Sequence, residues 1–345
     1  MSASPISIHA ALSDLAHGRG LSVAAAEEVF EQMLLGTLDA GQIGSLLSLI
    51  ETKGASADEL VGAATSMRRH VTPVPLNEAT RLRVIDTCGT GGAPKLFNVS
   101  TIAALVAAGA GAKVVKHGNK SRTGRGSAEI MQALGVNVEA SPEMQAHCVE
   151  DAGLCFCFAI HHHPATRAAA PVRRSLGFPT IFNLLGPLTN PGRATRQLLG
   201  VSRAEHVQIV AEALSRLGCT RAMVVHAEDG FDELSTTSPN LVAHVEGTSV
   251  RMITLHPERL HFHRASREEL QADTLDQAVA VAREVLGGVP GPKTEMVVLN
   301  VAAALYVAGE AESLESGVER ARQSIKSGAA LRSVEALKAT SNRQS

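Results

Sequence analysis

Past the segment Thr72-Pro73-Val74-Pro75, short apolar runs alternate with helical stretches, and that alternation restricts the chain to few folds. Arg83-Val84-Ile85-Asp86 reads as a strand, 100–111 as a small-residue helix, 112–116 as a strand and 127–134 as a helix. A strand near 154–160, a helix near 205–217 and a strand at 221–226 continue the series. Strands separated by helices pair in parallel through crossovers, giving an α/β sheet covered on both faces. Before the prolines the periodicity is helical over 6–70, with Val29, Met33 and Leu34, then Ile43, Leu46, Leu47 and Ile50, at helical spacing. The expected fold class is α/β, with a small N-terminal α-helical domain of about four helices and a large α/β domain whose mainly parallel central sheet is flanked by helices. Further helices are expected near 274–286, 294–308 and 314–327, and the tail 340–345 is expected to carry no structure.

Composition narrows the function. The 345 residues carry 32 Lys+Arg against 34 Asp+Glu, a net charge of -2, so no global positive field holds a polyanion. Aromatics are 3%, with no Trp and one Tyr, which removes the stacking platforms of single-strand binders. No nucleic-acid partner is expected. No basic leader followed by an apolar block and no long uninterrupted apolar stretch is present, so no membrane association is expected. The five cysteines lack a disulfide-framework spacing, which fits a reducing cytoplasm; Cys155 and Cys157 fall on one face of an apolar strand and read as buried structural thiols.

The glycines concentrate where chemistry would sit. Strand 83–86 runs into Gly89-Thr90-Gly91-Gly92, and Asn98-Val99-Ser100-Thr101 opens the next helix, which places backbone N–H groups and a positive helix end at an anion. By itself this pattern is also explained by a tight turn and a helix cap. It matches neither the P-loop nor the dinucleotide fingerprint. After the next strand, 116–127 packs four cationic side chains among glycines and hydroxyls at what should be a strand's carboxyl end. Two such loops on adjacent strands suggest two phosphate groups. Asp232 and Glu233, beyond strand 221–226, suit a hard cation such as Mg²⁺. Arg173 or Arg174 could pair with a substrate carboxylate. His161-His162-His163 cannot all face one ion from a regular element, which favours a loop role at the cleft.

Together these motifs resemble the anthranilate phosphoribosyltransferases, whose fold is shared with pyrimidine nucleoside phosphorylases. The resemblance rests on Gly89 to Gly92, Asn98 to Thr101, Lys116 to Asn119, Gly126 to Glu129, His162 to Ala165, Pro171 to Arg174, Phe182 to Pro191 and Asp229 to Glu233, and extends to the stretch around Asn300. It implies a cytoplasmic homodimer formed through the helical domain. The helical domain would span 1–72, completed by about 168–192, and the α/β domain 73–345. The implied reaction transfers the phosphoribosyl group of 5-phosphoribosyl 1-diphosphate (PRPP) to the amine of anthranilate and releases diphosphate, in tryptophan biosynthesis. Carried over by position, Gly89, Gly91, Gly92, Asn98, Val99, Ser100, Thr101, Lys116, His117, Gly118, Asn119, Arg122 and Ser127 would hold PRPP. Gly89, Asn119, Arg173 and Pro187 would face anthranilate, and Ser100, Asp232 and Glu233 would serve Mg²⁺. An aromatic amine attacks without prior deprotonation, so no catalytic base is assigned; His117 is the candidate if one acts.

Two departures stand out. Ala93-Pro94-Lys95-Leu96-Phe97 replaces an Asp-led stretch and is one residue short, and Ser121-Arg122-Thr123-Gly124-Arg125 replaces a serine-rich loop, with Arg122 or Arg125 standing in for serine hydroxyls. Alternative readings are a same-fold transferase or phosphorylase acting on another aromatic amine or a nucleobase, and a non-catalytic nucleic-acid-binding relative.

Overall fold

The computed structural model describes residues 7–94, 96–121 and 124–343. Ser7, Ser22, Asp39 and Ser56 each precede an apolar-periodic run and accept, through a side-chain oxygen, the backbone N–H three residues on. These caps satisfy donors that a helix start leaves orphaned. They begin α1 (Ile8–Ala16), α2 (Val23–Leu34), α3 (Ala40–Lys53) and α4 (Ala57–Arg69). The apolar stripes meet around Val29, Phe30, Met33, Leu46, Leu47, Ile50 and Leu60, all fully buried. Glu59 is buried there as well, its charge met by Lys53 Nζ at 3.0 Å and by the N–H groups of Leu21 and Ser56 at 3.0 and 2.8 Å.

After the short α5 (Glu78–Arg81) come β1 (Val84–Gly89), α6 (Val99–Gly109), β2 (Lys113–Gly118), α7 (Ser127–Ala133), α8 (Pro142–Ala152) and β3 (Leu154–Phe158). A connection holding α9 (Ala159–His162), α10 (Ala170–Leu176) and α11 (Ile181–Leu185) leads to β4 (Arg196–Gly200), α12 (Glu205–Arg216) and β5 (Arg221–Ala227). The chain ends with β6 (Asn240–Glu246), β7 (Ser249–Leu255), α13 (Leu275–Leu286), α14 (Pro292–Ala308), α15 (Leu314–Lys326) and α16 (Ala329–Ser341). The sheet order is β3-β2-β1-β4-β5-β6-β7; the first five strands are parallel, and β6 and β7 add an antiparallel edge.

Alternation along the strands divides the interior. Leu198, Met223, Val225 and Val242 join the core built with α6 and α14. Their neighbours Leu199, Val224, Ala243 and Val245 join the core that holds α12 and the N-terminal helices. The helical unit therefore sits on one face of the sheet's second half. α10 and α11 pack on α3 and α4, while Arg216–Asp58 at 2.6 Å and Arg203–Glu51 at 3.0 Å link the helical unit to α12 and the loop before it.

Three strands lie outside the sequence expectation. β4 opens on Arg196-Gln197, β6 is interrupted by His244, and β7, the outer strand of the β6–β7 hairpin, is largely exposed, so the apolar runs that mark a strand are short or absent. The tail needs a correction. α16 runs to Ser341, with Thr340 and Ser341 buried, because Thr340 Oγ1 donates to Asp151 at 3.2 Å and Arg343 pairs with the same carboxylate at 2.6 Å.

From β1 the chain steps outward to β2 and β3, then returns to lay β4 on the other side of β1. In parallel sheets a ligand crevice opens beyond the strand ends at such a reversal. Gly89 and Gly200, the last residues of β1 and β4, face each other across it.

Candidate active site

A cleft of about 390 Å³ opens at this crevice. The loop after β1 turns through Gly91 and Gly92, both at positive φ (66° and 92°), a region that favours glycine. Thr90 N–H donates to the Gly200 carbonyl at 2.9 Å, so the loop folds back over β4. Gly89, Gly91, Asn98, Val99, Ser100 and Thr101 line the cleft. Gly92 turns toward Ser202 and lines a neighbouring cavity instead.

The loop beyond β5 brings in the two acids. Asp232 Oδ2 accepts the Gly91 N–H at 3.1 Å, and Glu233 Oε1 accepts the Ser100 N–H at 3.3 Å in the opening turn of α6. Asn300, buried in α14, brackets the next residue: its Oδ1 accepts Leu234 N–H at 3.0 Å and its Nδ2 donates to Leu234 O at 2.7 Å. Glu233 is pushed up to about 8, first by burial and then by the Asp232 charge. A hard dication between these oxygen donors would relieve that repulsion, so the pair fits Mg²⁺. Among the described residues no group of three or more His, Cys, Asp or Glu could hold a metal, so further donors would come from phosphate and water.

Lys116 enters from β2. It is 1% exposed, its Nζ donates to the Thr87 carbonyl at 2.6 Å, and Ser100 Oγ lies 3.5 Å away. Burial lowers its pKa, and the nearby Asp86 charge opposes that. Asp86 is fully buried too; burial raises its pKa against the pull of Lys116, and its Oδ1 accepts the His117 N–H at 3.3 Å.

His117, Gly118, Asn119 and Ser127 line the same cleft. The Asn119 N–H donates to Ser127 Oγ at 3.2 Å, which closes the loop between β2 and α7. His117 Nε2 lies 3.2 Å from His163 Nε2, and burial followed by the neighbouring histidines holds His117 well below the ordinary imidazole value. The three consecutive histidines diverge: His161 bonds Glu139, His162 Nδ1 donates to the Thr72 carbonyl at 2.7 Å, and His163 meets His117. No single ion is shared among them.

Arg122 lies outside the described residues. Arg125 departs from the expected phosphate role: its guanidinium donates to the Ala272 carbonyl, while Ala272 N–H donates to the Leu96 carbonyl at 3.0 Å. Asn98 Nδ2 donates to the Arg125 carbonyl at 3.0 Å. The two altered loops are thus joined through the segment before α13. On the far wall, Arg173 lies 4.5 Å over the Phe182 ring and lines the cleft with Pro187, whereas Arg174 is exposed and does not. Sequence reasoning missed Asp86, Thr90, Gly200 and the anchoring role of Asn300. A lone Asn amid the apolar run of α14 was the available signal.

Comparison with known proteins agrees with this geometry. The family described as "Glycosyl transferase family, a/b domain" matches residues 81–331, and its "helical bundle domain" matches 9–71. An anthranilate phosphoribosyltransferase of Rubrobacter xylanophilus is 45% identical over 96% of this chain and 97% of its own. The crystal structure of the anthranilate phosphoribosyltransferase from Thermus thermophilus superposes with a TM-score of 0.89 at 38% identity, covering 96% of this chain and 99% of that one. The Saccharomyces cerevisiae enzyme in complex with PRPP and Mg gives a TM-score of 0.87 at 25% identity, with 97% of each chain covered. With both domains, the switch-point cleft and nearly full-length identity in agreement, the chain belongs to the anthranilate phosphoribosyltransferase family.

Proposed function

We propose that the chain transfers the phosphoribosyl group of PRPP to the amine of anthranilate, giving N-(5-phosphoribosyl)anthranilate and diphosphate. The observation that carries this reading is the Asp232-Glu233 pair held across the crevice from the opening turn of α6, with Lys116 beside Ser100. In the reaction the bond from ribose C1 to the diphosphate oxygen breaks with its electron pair leaving on diphosphate. A C1–N bond forms, and the amine proton passes to diphosphate or water. Charge therefore develops on the leaving group and on an oxocarbenium-like C1.

The positive N-terminal end of α6 and the Lys116 ammonium hold that leaving charge, and Gly89, Gly91, Asn98, Thr101 and Ser127 seat the phosphates. Asp232, Glu233 and Ser100 are the residues assigned to Mg²⁺, which when bound adds positive charge beside the diphosphate. Asn119 and Arg173 orient anthranilate, the guanidinium pairing with its carboxylate while stacked on Phe182. Pro187 and His117 complete that wall. His117 is assigned to lining, since its neutral ring is engaged with His163 and an aromatic amine needs no base.

The same reading assigns the helical domain to 1–72 plus about 168–192 and makes it the homodimer interface, which light scattering tests. Among the described residues no helix is long and apolar enough to cross a membrane. All five cysteines are free and buried, which accords with a reducing cytoplasm. Stoichiometric loss of anthranilate and release of diphosphate, with no phosphorolysis of pyrimidine nucleosides, is the expected outcome. Transfer to a nucleobase, or salt-resistant binding of nucleic acid without turnover, would replace this reading.

A further inference from the structure

A separate cavity of about 440 Å³ opens near the starts of β4 and β5, among the end of α4, the segment 187–197 and the segment 214–219. Part of its wall is apolar, formed by Val71, Leu188, Leu214 and Leu217. Arg68, Arg69, Arg81 and Arg193 also line it, and no aspartate or glutamate does among the described residues. Two of these cations are already met: Arg69 pairs with Glu27 and, at 2.7 Å, with Glu31, and Arg81 lies 4.0 Å from Glu78.

Arg68 and Arg193 have no carboxylate partner among the described residues. Arg68 spends two of its five N–H donors on backbone, Nε on the Leu188 carbonyl at 2.8 Å and Nη1 on the Leu217 carbonyl at 2.9 Å. Its side chain is otherwise exposed toward the cavity, as is that of Arg193. Arg193 stands at φ 52° with an exposed side chain that bonds to none of the described residues. Two guanidiniums without carboxylate partners on the lining of one cavity suit a ligand group carrying close to two negative charges. The planar fork of arginine matches phosphate oxygens. The apolar wall adds a preference for a body that sheds water on binding.

We propose that this cavity is a binding site for a small organic phosphomonoester, its phosphate held between Arg68 and Arg193 and its apolar body against Leu188 and Leu217. The site reaches the catalytic cleft along a short path. Arg68 holds the Leu188 carbonyl, and Pro187, the preceding residue, lines both cavities while its carbonyl accepts Gln197 Nε2 at 2.7 Å. Occupancy therefore shifts KM for the acceptor; that consequence, unlike the binding, rests on the role proposed for Pro187.

The test is calorimetric titration of the full chain with phenyl phosphate, inorganic phosphate or benzoate at constant ionic strength. Arg193→Asn is the main variant, because asparagine tolerates the left-handed backbone and the side chain carries no structural bond. Arg68→Lys keeps the charge but loses the fork. Phenyl phosphate is expected to bind the wild type most tightly of the three, and to weaken about tenfold or more in either variant, the loss of one charge-assisted pair. R193N should keep the wild-type kcat and Tm, and anion binding in the catalytic cleft is common to all three proteins. Identical titrations of wild type and R193N would overturn the site, and benzoate binding that is as tight as that of phenyl phosphate and equally weakened by R193N would overturn the ligand class.

Discussion

The backbone carbonyl of Asp232 lies against Gly200 in the space a side-chain Cβ would fill, and the Asp232 carboxylate stands 2.6 Å from where a Cβ on Gly89 would be. The facing glycines at the ends of β1 and β4 thus make room for the acid-bearing loop to enter the crevice. Their absent side chains position the carboxylates that the proposed chemistry uses.

Gly200→Ala should displace the Asp232 backbone. Overpacking of this kind costs about 1–3 kcal/mol, and a misplaced carboxylate pair costs about 100-fold in kcat/KM for PRPP. Gly89→Ala clashes with the Asp232 carboxylate and meets its backbone carbonyl only at ordinary contact distance, 3.5 Å, so it should raise the Mg²⁺ requirement with a smaller loss of Tm. Thermal unfolding beside steady-state kinetics separates the two.

Lys116 and Asp86 should couple. Removing the cation by Lys116→Met takes away the charge that opposes the effect of burial on Asp86, so stability should fall and the Asp86 pKa should rise further. Adding Asp86→Asn should restore part of that stability, with an interaction energy of about 1–3 kcal/mol in a double-mutant cycle. Activity should stay lost in both variants, since the leaving-group cation is gone.

How much of this was legible varied with distance along the chain. The glycine loops, Lys116, Asn119 and Asp232-Glu233 were readable because each motif is contiguous and adjoins a strand end. Gly200 was not, since its reason to be glycine is Asp232, distant in sequence. β4 was hidden by Arg196-Gln197, whose side chains reach the Ala308 and Pro187 carbonyls across the fold. Arg125 looked like a phosphate ligand by charge alone; only the folded segment before α13 shows its carbonyl partner. The arginine-lined cavity was invisible for the same reason, being assembled from four separate stretches.

The histidine pair sets an acid-side limit on stability. Burial lowers His163 from 6.5 to about 4, and His117 lies well below 6.5 as well. The unfolded chain therefore binds more protons than the folded one between those values. Stability rises with pH across that window and is lost as pH falls from about 6.5 toward 4. Comparing Tm at several pH values across it, His163→Gln should lose less stability on acidification than the wild type.

Arg173→Ala should raise KM for anthranilate by about 10- to 100-fold, the worth of one charge-assisted pair, and leave KM for PRPP nearly unchanged. An unaltered anthranilate KM would remove Arg173 from the acceptor site.

The most direct measurement follows anthranilate fluorescence with purified protein, PRPP and Mg²⁺, for the wild type and an Asp232→Asn/Glu233→Gln double variant. Consumption that requires both PRPP and Mg²⁺ and collapses in the folded double variant is the expected result. Anthranilate left unconsumed by the wild type, or consumed equally by the variant, would contradict the proposed reaction or the role given to the two carboxylates.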